Sequence, residues 1–362
     1  MSNETGRIAP MLEALESLVR AESPTEDLSA CRKVVEVANQ IATKELGKPG
    51  EILEINGRPV FWWGDKKPKV VLLAHLDTVW PIGSFDPIWQ IDGDVVRGPG
   101  TFDMKVGFIQ ALFALKEISG PVALIATTDE ETGSFASRDL IKEVSKGASA
   151  VLVLEASLDG QVKTGRKGTA MYVLKAIGLA AHAGLEPEKG VNASVELAFQ
   201  ILKLRNLESK EHGTTVVPTL MKGGTTANTV PNEASIEIDA RSFSQSDLER
   251  VDKAIKSLQP ELPGAKLEIT GGLNRPVLEP AATKELYEIA ERVAKSLNMA
   301  PLGSAEVGGA SDGNFAAAAG AKVLDGLGAI GGGAHAANEW ASIKAMQERA
   351  TFLNAFIKEL LK

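Results

Sequence analysis

The chain has 362 residues, of which 44% are hydrophobic and 24% charged, values that are ordinary for a folded globular protein. Its 39 basic and 47 acidic side chains give a net charge of −8 with no basic cluster, so we do not expect a nucleic-acid partner. Cys31 is the single cysteine, which excludes an intrachain disulfide and a zinc site built from several thiolates. Histidines and carboxylates must therefore hold any metal ion.

Two features predict a cytoplasmic protein that does not bind membranes. The scarcity of cysteine suits a reducing compartment. The first residues lack the basic-then-apolar pattern of a signal peptide, and no apolar run reaches the roughly 18 residues of a membrane span. At this length we expect two domains, because single hydrophobic cores stop growing at about 250 to 300 residues.

The first part of the chain predicts alternating strands and helices. Apolar residues at helical spacing run from about residue 8 to 46, with an interruption at 23–26. The elements predicted next are strands 51–55, 60–63, 70–74, 122–127 and 150–154 and helices 107–118 and 137–144. This alternation predicts an α/β fold with a mostly parallel sheet and helices on both faces.

The pattern changes near residue 168. The predicted elements become strand 169–177, helix 192–204, strands 214–222 and 234–241, helix 246–258 and strand 266–270. This β-α-β-β-α-β order is the ferredoxin-like α+β arrangement, which closes on itself as a small sheet with two helices. We therefore predict that residues 166–272 form a domain inserted into a first domain made of 1–165 and 273–362.

Polar residues follow the most apolar of the predicted strands. His75 and Asp77 come directly after 70–74, at the edge of a parallel sheet where ligands usually bind. They are two residues apart, so in an extended segment their side chains point the same way. An imidazole with nearby carboxylates is typical of a divalent metal site. Taken alone, the pair more often means a core histidine beside a turn aspartate.

Further candidate ligands occur at corresponding places along the chain. Asp103 lies in the Gly-Pro loop 98–105 before a helix, Glu130 and Glu131 follow strand 122–127, Glu155 ends the next strand, and His335 follows three glycines. With His75, these make six groups, of which five could form two metal sites that share one carboxylate. The sixth, Glu130, would then be a general base beside Glu131. The alternative for adjacent glutamates is a solvated surface.

One motif indicates a different kind of binding site. Residues 323–331 combine a strand with G-x-G-x-x-G, the dinucleotide-binding fingerprint. Only about thirty residues follow it, whereas a dinucleotide-binding unit needs further βαβ elements. Glycines that allow a tight turn before His335 explain the motif equally well. We do not expect nucleotide binding, and cofactor absorbance in the purified protein would reveal it.

Together these segments resemble the dizinc exopeptidase and aminoacylase family, which includes bacterial glutamate carboxypeptidase, acetylornithine deacetylase and succinyl-diaminopimelate desuccinylase. The matching stretches run in family order and are 74–79, 98–105, 129–134, 154–155 and 333–335. The resemblance is strongest to the glutamate carboxypeptidase branch, through residues 133–141. It implies that 1–165 with 273–362 is a metal-binding catalytic domain and that 166–272 is a dimerisation or lid domain.

The resemblance also assigns roles in the first domain. Two divalent metal ions are implied, zinc by default, with manganese or cobalt as alternatives. The implied ligands are His75 and Glu155 for one ion and Glu131 and His335 for the other, with Asp103 as the bridge. Asp77 would orient His75, and Glu130 would be the general acid/base. The peptide between Asp103 and Met104 would be cis.

The inserted domain carries further matches. His182 resembles the family histidine that reaches a neighbouring subunit's active site and stabilises the oxyanion, which implies a homodimer. Ala181 stands where the family commonly has serine. Asn228, Arg241 and Arg275 resemble residues that bind the substrate carboxylate. For each arginine alone, a surface salt bridge is an equally good interpretation.

The sequence therefore predicts a metal-dependent hydrolase that cleaves an amide bond and releases an amino acid, in the manner of glutamate carboxypeptidase. Its substrate would be a small peptide or an N-acyl amino acid. The alternative on the same site is an N-acyl-amino-acid deacylase or a dipeptidase. A non-catalytic binding protein that keeps the fold is the alternative from another class, and it would be favoured by the loss of Glu130 or of a metal ligand.

Overall fold

The computed structural model describes residues 5–362, with side chains from Ile8 onward. The chain divides into two compact units. The first unit comprises the chain up to Gly165 together with Leu278–Val307 and Ser311–Lys362, and the second comprises Arg166–Val277 and Gly308–Ala310. Among the described residues, no helix combines the length and the apolar character needed to cross a membrane.

The secondary structure follows the predicted alternation. The helices are α1 (Thr5–Arg20), α2 (Leu28–Leu46), α3 (Val106–Leu115), α4 (Arg138–Ser145), α5 (Ala193–Arg205), α6 (Gln245–Lys256), α7 (Pro280–Ser296), α8 (Gly313–Ala318) and α9 (Ile343–Leu360). The strands are β1 (Glu51–Ile55), β2 (Arg58–Gly64), β3 (Val70–His75), β4 (Gln90–Asp92), β5 (Val95–Arg97), β6 (Val122–Thr127), β7 (Ala150–Val153), β8 (Val162–Arg166), β9 (Gly168–Ile177), β10 (Thr215–Gly223), β11 (Glu233–Ser242), β12 (Lys266–Arg275), β13 (Ser304–Val307), β14 (Val323–Leu324), β15 (Gly331–Gly332) and β16 (Trp340–Ser342).

A six-stranded sheet is the centre of the first unit. Its strand order is β1-β2-β6-β3-β7-β14. Strand β3 pairs in parallel with β6 and β7, and β14 pairs in parallel with β7. Strands β1 and β2 complete one edge with antiparallel pairings. The predicted mostly parallel sheet is therefore confirmed.

The apolar run of β3 is buried on both faces of the sheet. Val70 and Leu72 contribute to a large core with residues of α1, α2, α3 and α9. Val71 and Leu73 belong to a separate core with residues of α4 and α8. Helices on both faces are what a continuous apolar strand requires, because neither of its faces can meet water. This part of the prediction is also confirmed.

The second unit has the predicted β-α-β-β-α-β order, as β9, α5, β10, β11, α6 and β12. Its antiparallel sheet has the order β10-β11-β9-β12. Residues Tyr172 and Leu174 of β9 are buried with residues of α5 and α6, whereas Met171 and Val173 are exposed. One face of this sheet is thus covered by the two helices. Strand β12 continues to Arg275, five residues beyond the predicted end at 270.

Two small sheets were not predicted from the sequence. Strands β13 and β8 pair with each other. Strands β15, β16, β5 and β4 form a four-stranded sheet in which β16 pairs antiparallel with β5. These strands have two to five residues each, too short to show a periodic pattern. The four-stranded sheet joins the hairpin around His335 to the strand that precedes the loop 98–105.

Gly107 allows helix α3 to lie directly against the end of β7. A Cβ atom at this position would be 2.1 Å from the carbonyl oxygen of Leu154. The contact is close to two candidate ligands, because α3 follows Asp103 and Leu154 precedes Glu155. A side chain at position 107 must therefore displace either the helix or the strand.

We expect Gly107→Ala to lower the free energy of unfolding by about 1 to 3 kcal/mol, as is usual for an overpacked core. Chemical denaturation measures this as a lower midpoint. The control is Gly308→Ala, since a Cβ atom there has no neighbour within 4 Å among the described residues. Equal midpoints for the two variants would contradict the close packing of α3.

Candidate metal centre

Parallel strands bring the predicted ligands of the first unit to one edge of the sheet. His75 is the last residue of β3, Glu130 and Glu131 follow β6, and Glu155 follows β7. The carboxyl ends of adjacent parallel strands meet at the same edge, so these side chains converge although they are far apart in sequence. Asp103 and His335 reach this edge from loops.

Five of these side chains form two clusters that could each hold a metal ion. His75, Asp103 and Glu155 make one cluster, and Asp103, Glu131 and His335 make the other. In each cluster the ligand atoms lie within 4.8 Å of one another. An imidazole nitrogen with two carboxylate oxygens is a donor set that suits zinc and other divalent ions.

Asp103 belongs to both clusters through different oxygen atoms. Its Oδ1 lies 3.3 Å from Nε2 of His75. Its Oδ2 lies 3.5 Å from Nε2 of His335, and that nitrogen is 3.0 Å from Oε2 of Glu131. On the other side, Nε2 of His75 is 3.8 Å from Oε1 of Glu155. Asp103 therefore has the geometry of a bridging ligand.

The peptide bond between Asp103 and Met104 is cis, as the resemblance implied. Asp103 itself lies in the turn Thr101–Lys105, with φ −118° and ψ 90°. These angles are outside the helical range, so the turn is interrupted at the residue whose side chain is shared by the two clusters.

Asp77 contacts both the imidazole of His75 and the backbone of the next loop. The Nδ1 atom of His75 lies 3.1 Å from the main-chain carbonyl oxygen of Asp77 and 3.4 Å from its Oδ1. A proton on Nδ1 is thereby favoured, which leaves Nε2 facing Asp103. The carboxylate also accepts hydrogen bonds from the backbone N–H of Glu130 (3.4 Å) and of Glu131 (3.2 Å) and from the hydroxyl of Thr25 (2.8 Å).

The clusters concentrate negative charge in a buried region. Burial lowers the pKa of His75, but its hydrogen bonds with Asp103 and Asp77 outweigh burial and raise that pKa well above its ordinary value. Hydrogen bonds with Asp103 and Glu131 raise the pKa of His335 to about 10. The carboxylates thus draw positive charge to this edge of the sheet, which is the electrostatic condition for binding cations.

Glu130 lies beside the clusters without belonging to either of them. It is 8% exposed, and its negative charge is close enough to raise the pKa of His75. Glu131, its neighbour in sequence, is in contact with His335. The two glutamates therefore differ in their contacts, and they are not a solvated surface pair.

The remaining predicted site residues lie in the second unit. His182 is exposed, and its Nδ1 accepts a hydrogen bond from the backbone N–H of Gly184 at 3.1 Å. Asn228 is exposed, and Arg275 is buried. The guanidinium of Arg241 forms two 2.8 Å hydrogen bonds with the carboxylate of Asp239. Its role in binding a substrate carboxylate stays a prediction.

The glycine-rich segment has a packing function. Gly328 lies against the end of β7, where a Cβ atom would be 2.0 Å from the carbonyl oxygen of Leu154. At Gly331 a Cβ atom would be 2.0 Å from the carbonyl oxygen of Trp340. The segment leads into strand β15 and not into a helix, so the arrangement differs from the strand-turn-helix that a dinucleotide site requires.

Two buried carboxylates near the clusters were not predicted as site residues. Asp312 accepts hydrogen bonds from the hydroxyls of Thr127, at 3.1 Å, and of Ser134. Glu339 accepts hydrogen bonds from backbone N–H groups in the loop that carries Asp103. Their partners are distant in sequence, so no local pattern reveals them. The one available signal is an acidic residue directly before the short apolar stretch that starts at Trp340.

Comparisons with known proteins identify the family of the chain. The model of peptidase family M20/M25/M40 matches residues 71–359. Carboxypeptidase G2 from Pseudomonas sp. (strain RS-16) is 32% identical over 306 residues, which are 80% of this chain and 74% of the relative. Succinyl-diaminopimelate desuccinylase from Sulfurovum sp. (strain NBC37-1) is 26% identical over 319 residues, 82% and 83% of the two chains.

Solved structures show the same fold. A tripeptidase from Staphylococcus aureus subsp. aureus Mu50 superposes with a TM-score of 0.76 and 23% identity, covering 98% of this chain and 99% of that one. The resemblance found in the sequence is therefore confirmed. The chain belongs to peptidase family M20/M25/M40 and is a metal-dependent hydrolase of amide bonds.

Proposed function

We propose that the two clusters hold a pair of divalent metal ions, with zinc as the native metal. His75 and Glu155 would bind one ion, Glu131 and His335 the other, and Asp103 both. The division of the two oxygens of Asp103 between His75 and His335 is the observation that carries this proposal. Imidazole and carboxylate ligands favour zinc, although manganese or cobalt also bind such oxygen-rich sites. When bound, the ions would supply Lewis acidity for amide hydrolysis.

Glu130 would act as the general acid/base. Its carboxylate would take a proton from the attacking water and deliver it to the nitrogen of the leaving amine as the C–N bond breaks. The hydrogen bond between its backbone N–H and Asp77 holds it beside the clusters without making it a ligand. One side chain can serve both steps because it returns to the ionised state after each cycle.

His182 would stabilise the oxyanion that forms on the attacked carbonyl. Its Nδ1 accepts a hydrogen bond from the backbone of Gly184, so the neutral ring carries its proton on Nε2. That N–H is available as a donor to an oxyanion. We propose that His182 acts in the active site of a second copy of the chain.

A homodimer is supported by exposed apolar side chains on the second unit. On α5, the side chains of Val195, Phe199 and Leu202 are 42%, 42% and 60% exposed, and their spacing places them on one face of the helix. Strand β10, an edge strand that packs beside α5, exposes Leu220 and Met221. An apolar surface of this kind is typical of a protein interface. We propose that a second copy covers it.

The proposed substrate is a small peptide or N-acyl amino acid with a free carboxylate, which Asn228, Arg241 and Arg275 would bind. The likeness to carboxypeptidase G2 supports a carboxypeptidase that releases a C-terminal amino acid. The sequence resemblance to glutamate carboxypeptidase favours glutamate as that amino acid. The likeness to desuccinylases supports the alternative of a deacylase of N-acyl amino acids. A dipeptidase on the same site is the other alternative. We also propose that the enzyme works in the cytoplasm, in keeping with its single cysteine.

We expect about two metal ions per chain in the purified protein, and we expect hydrolysis of N-acyl-glutamate to stop when a chelator removes them. Glu130→Gln should keep both ions but lower kcat by a factor of about 10² to 10⁴ or more, because it removes the proton acceptor. Metal analysis by mass spectrometry and steady-state kinetics measure both effects.

Glu211→Gln, a change at an exposed glutamate, is the control and should behave as the wild type. A Glu130→Gln variant with wild-type kcat would contradict the role of Glu130. A protein that binds no zinc, manganese or cobalt and cleaves no substrate after each is added would favour the binding-protein alternative.

We expect Phe199→Glu to convert the dimer into a monomer, because a charge on the apolar face of α5 opposes its burial. Light scattering measures the change in mass. Glu188→Gln changes an exposed residue outside α5 and serves as the control. A dimeric Phe199→Glu protein would show that this face of α5 is not the interface.

We expect two inactive variants, Glu130→Gln and His182→Ala, to restore activity when their subunits are mixed. In a mixed dimer, the subunit that keeps Glu130 receives His182 from its partner, so about a quarter of all sites are complete after random exchange. The measurement is the hydrolysis rate after co-refolding or subunit exchange. No recovery in verified mixed dimers would mean that His182 does not act across the interface.

A further inference from the structure

Glu339 is a buried carboxylate, 1% exposed, that has no part in the proposed chemistry. Its Oε1 accepts hydrogen bonds from the backbone N–H of Phe102 at 2.9 Å and of Asp103 at 3.0 Å. Its Oε2 accepts hydrogen bonds from the backbone N–H of Gly100 at 3.1 Å and from the indole N–H of Trp80 at 3.2 Å. Four neutral donors therefore converge on one carboxylate.

The backbone of this loop needs such an acceptor. Gly100 has a left-handed conformation with φ 74°, and Asp103 departs from helical angles. These conformations turn several N–H groups towards the same point, an arrangement that binds anions. A buried N–H group that loses its acceptor destabilises the conformation that buries it. The loop conformation therefore depends on the carboxylate of Glu339.

A buried lysine of the loop that carries Asp103 opposes the negative charge of Glu339. Lys105 is fully buried, and its ammonium group interacts electrostatically with Glu339. The pair of opposite charges reduces the cost of burying either one. Burial raises the pKa of Glu339 to about 6, and the backbone N–H groups of Asp103, Gly100 and Phe102 oppose that rise because their hydrogen bonds stabilise the ionised form.

Glu339 also connects the loop that carries Asp103 to His335, which belongs to the same cluster as Asp103. It follows His335 by four residues, in the hairpin formed by β15 and β16. The next residue, Trp340, pairs with Arg97 of β5, and the guanidinium of Arg97 donates a hydrogen bond to the carbonyl oxygen of Asn338 at 2.9 Å. The hairpin with His335 and the loop with Asp103 are thus held to each other through Glu339 and its neighbours.

We propose that Glu339 is a positioning residue that fixes Asp103 between the two metal sites and sets its distance from His335. This inference rests on the proposed metal pair. Glu339 acts through the backbone of residues 100–103 and binds neither metal nor substrate itself. A residue in this position controls metal affinity because it keeps both oxygens of Asp103 aimed at different ions.

The test is the metal affinity of Glu339→Gln, which keeps the size of the side chain but replaces one acceptor oxygen with a donor group. We expect its affinity for zinc or cobalt to fall by about 10- to 100-fold, the usual effect of removing a residue that orients a ligand. Competition with a fluorescent chelator measures this in protein prepared without metal.

Glu196→Gln is a matched control in the second unit. Glu196 is also fully buried, and it also accepts backbone hydrogen bonds, from Glu261 at 3.0 Å and Leu262 at 2.7 Å. This variant should lose stability but keep wild-type metal affinity. A comparable loss of affinity in both variants would reduce Glu339 to a general structural role and overturn the proposal.

Hydrogen-deuterium exchange of the metal-free protein gives a second measurement. Peptides that cover 98–105 should exchange faster in Glu339→Gln than in the wild type, and peptides from α5 should not change. Wild-type metal affinity, or unchanged exchange in this loop, would overturn the proposal. If the wild type itself binds no pair of metal ions, the proposed function fails instead.

Trp80→Phe is a milder variant for the case that Glu339→Gln does not fold. It removes one donor to Glu339 and leaves the three backbone hydrogen bonds. We expect a smaller loss of metal affinity, about two- to tenfold, by the same ligand-orienting effect. Unchanged affinity in this variant would contradict the dependence of Asp103 on the Glu339 network.

Discussion

Repulsion between carboxylates is the constraint on which the rest of the first unit depends. Asp103, Glu131 and Glu155 reach one edge of the sheet, and the carboxylates of Asp77 and Glu130 are close enough to raise the pKa of His75. Like charges at short distance in a poorly solvated region oppose one another strongly. The two imidazoles offset part of this charge, and divalent cations would offset the remainder. The same repulsion makes the edge an attractive site for metal.

Such a site must be held in place by groups that are not ligands. Asp77 accepts hydrogen bonds from the backbone N–H groups of Glu130 and Glu131. Asp312 accepts hydrogen bonds from the hydroxyls of Thr127 and Ser134, which precede and follow the two glutamates in sequence. Glu339 accepts hydrogen bonds from the backbone of the loop that carries Asp103. Each of these anchors is a buried carboxylate that accepts hydrogen bonds from neutral donors. Carboxylates therefore have two roles at this site. Some would bind the metal, and others accept hydrogen bonds that keep the ligands in place.

The sequence predicted the parts of the fold that depend on local pattern. The continuous apolar run of β3 requires burial on both faces, and the polar residues directly after it fall at the ligand-binding edge. The order of strands and the polar residues that end them were therefore enough to place His75, Glu131 and Glu155 together. Family resemblance then supplied the bridging arrangement of Asp103 and the cis peptide, which no periodic pattern contains.

Among these carboxylates, Asp77 was expected to orient His75, whereas Glu339 could not be predicted because its partners are remote in sequence. Glu339 and Phe102 are 237 positions apart, and the strands that bring them together are only three residues long. Arg241 shows a second limit of prediction from the sequence. Its sequence context matches a carboxylate-binding residue, yet in the structure its guanidinium is paired with Asp239 two positions away. A side chain's partner depends on local geometry that residue type does not specify.

The most direct test of the central claim is an anomalous X-ray diffraction map of the protein crystallised with zinc. We predict two peaks per chain, about 3.5 to 4 Å apart as in other two-metal sites, with one oxygen of Asp103 on each ion. A single peak, or two peaks that Asp103 does not bridge, would contradict the account.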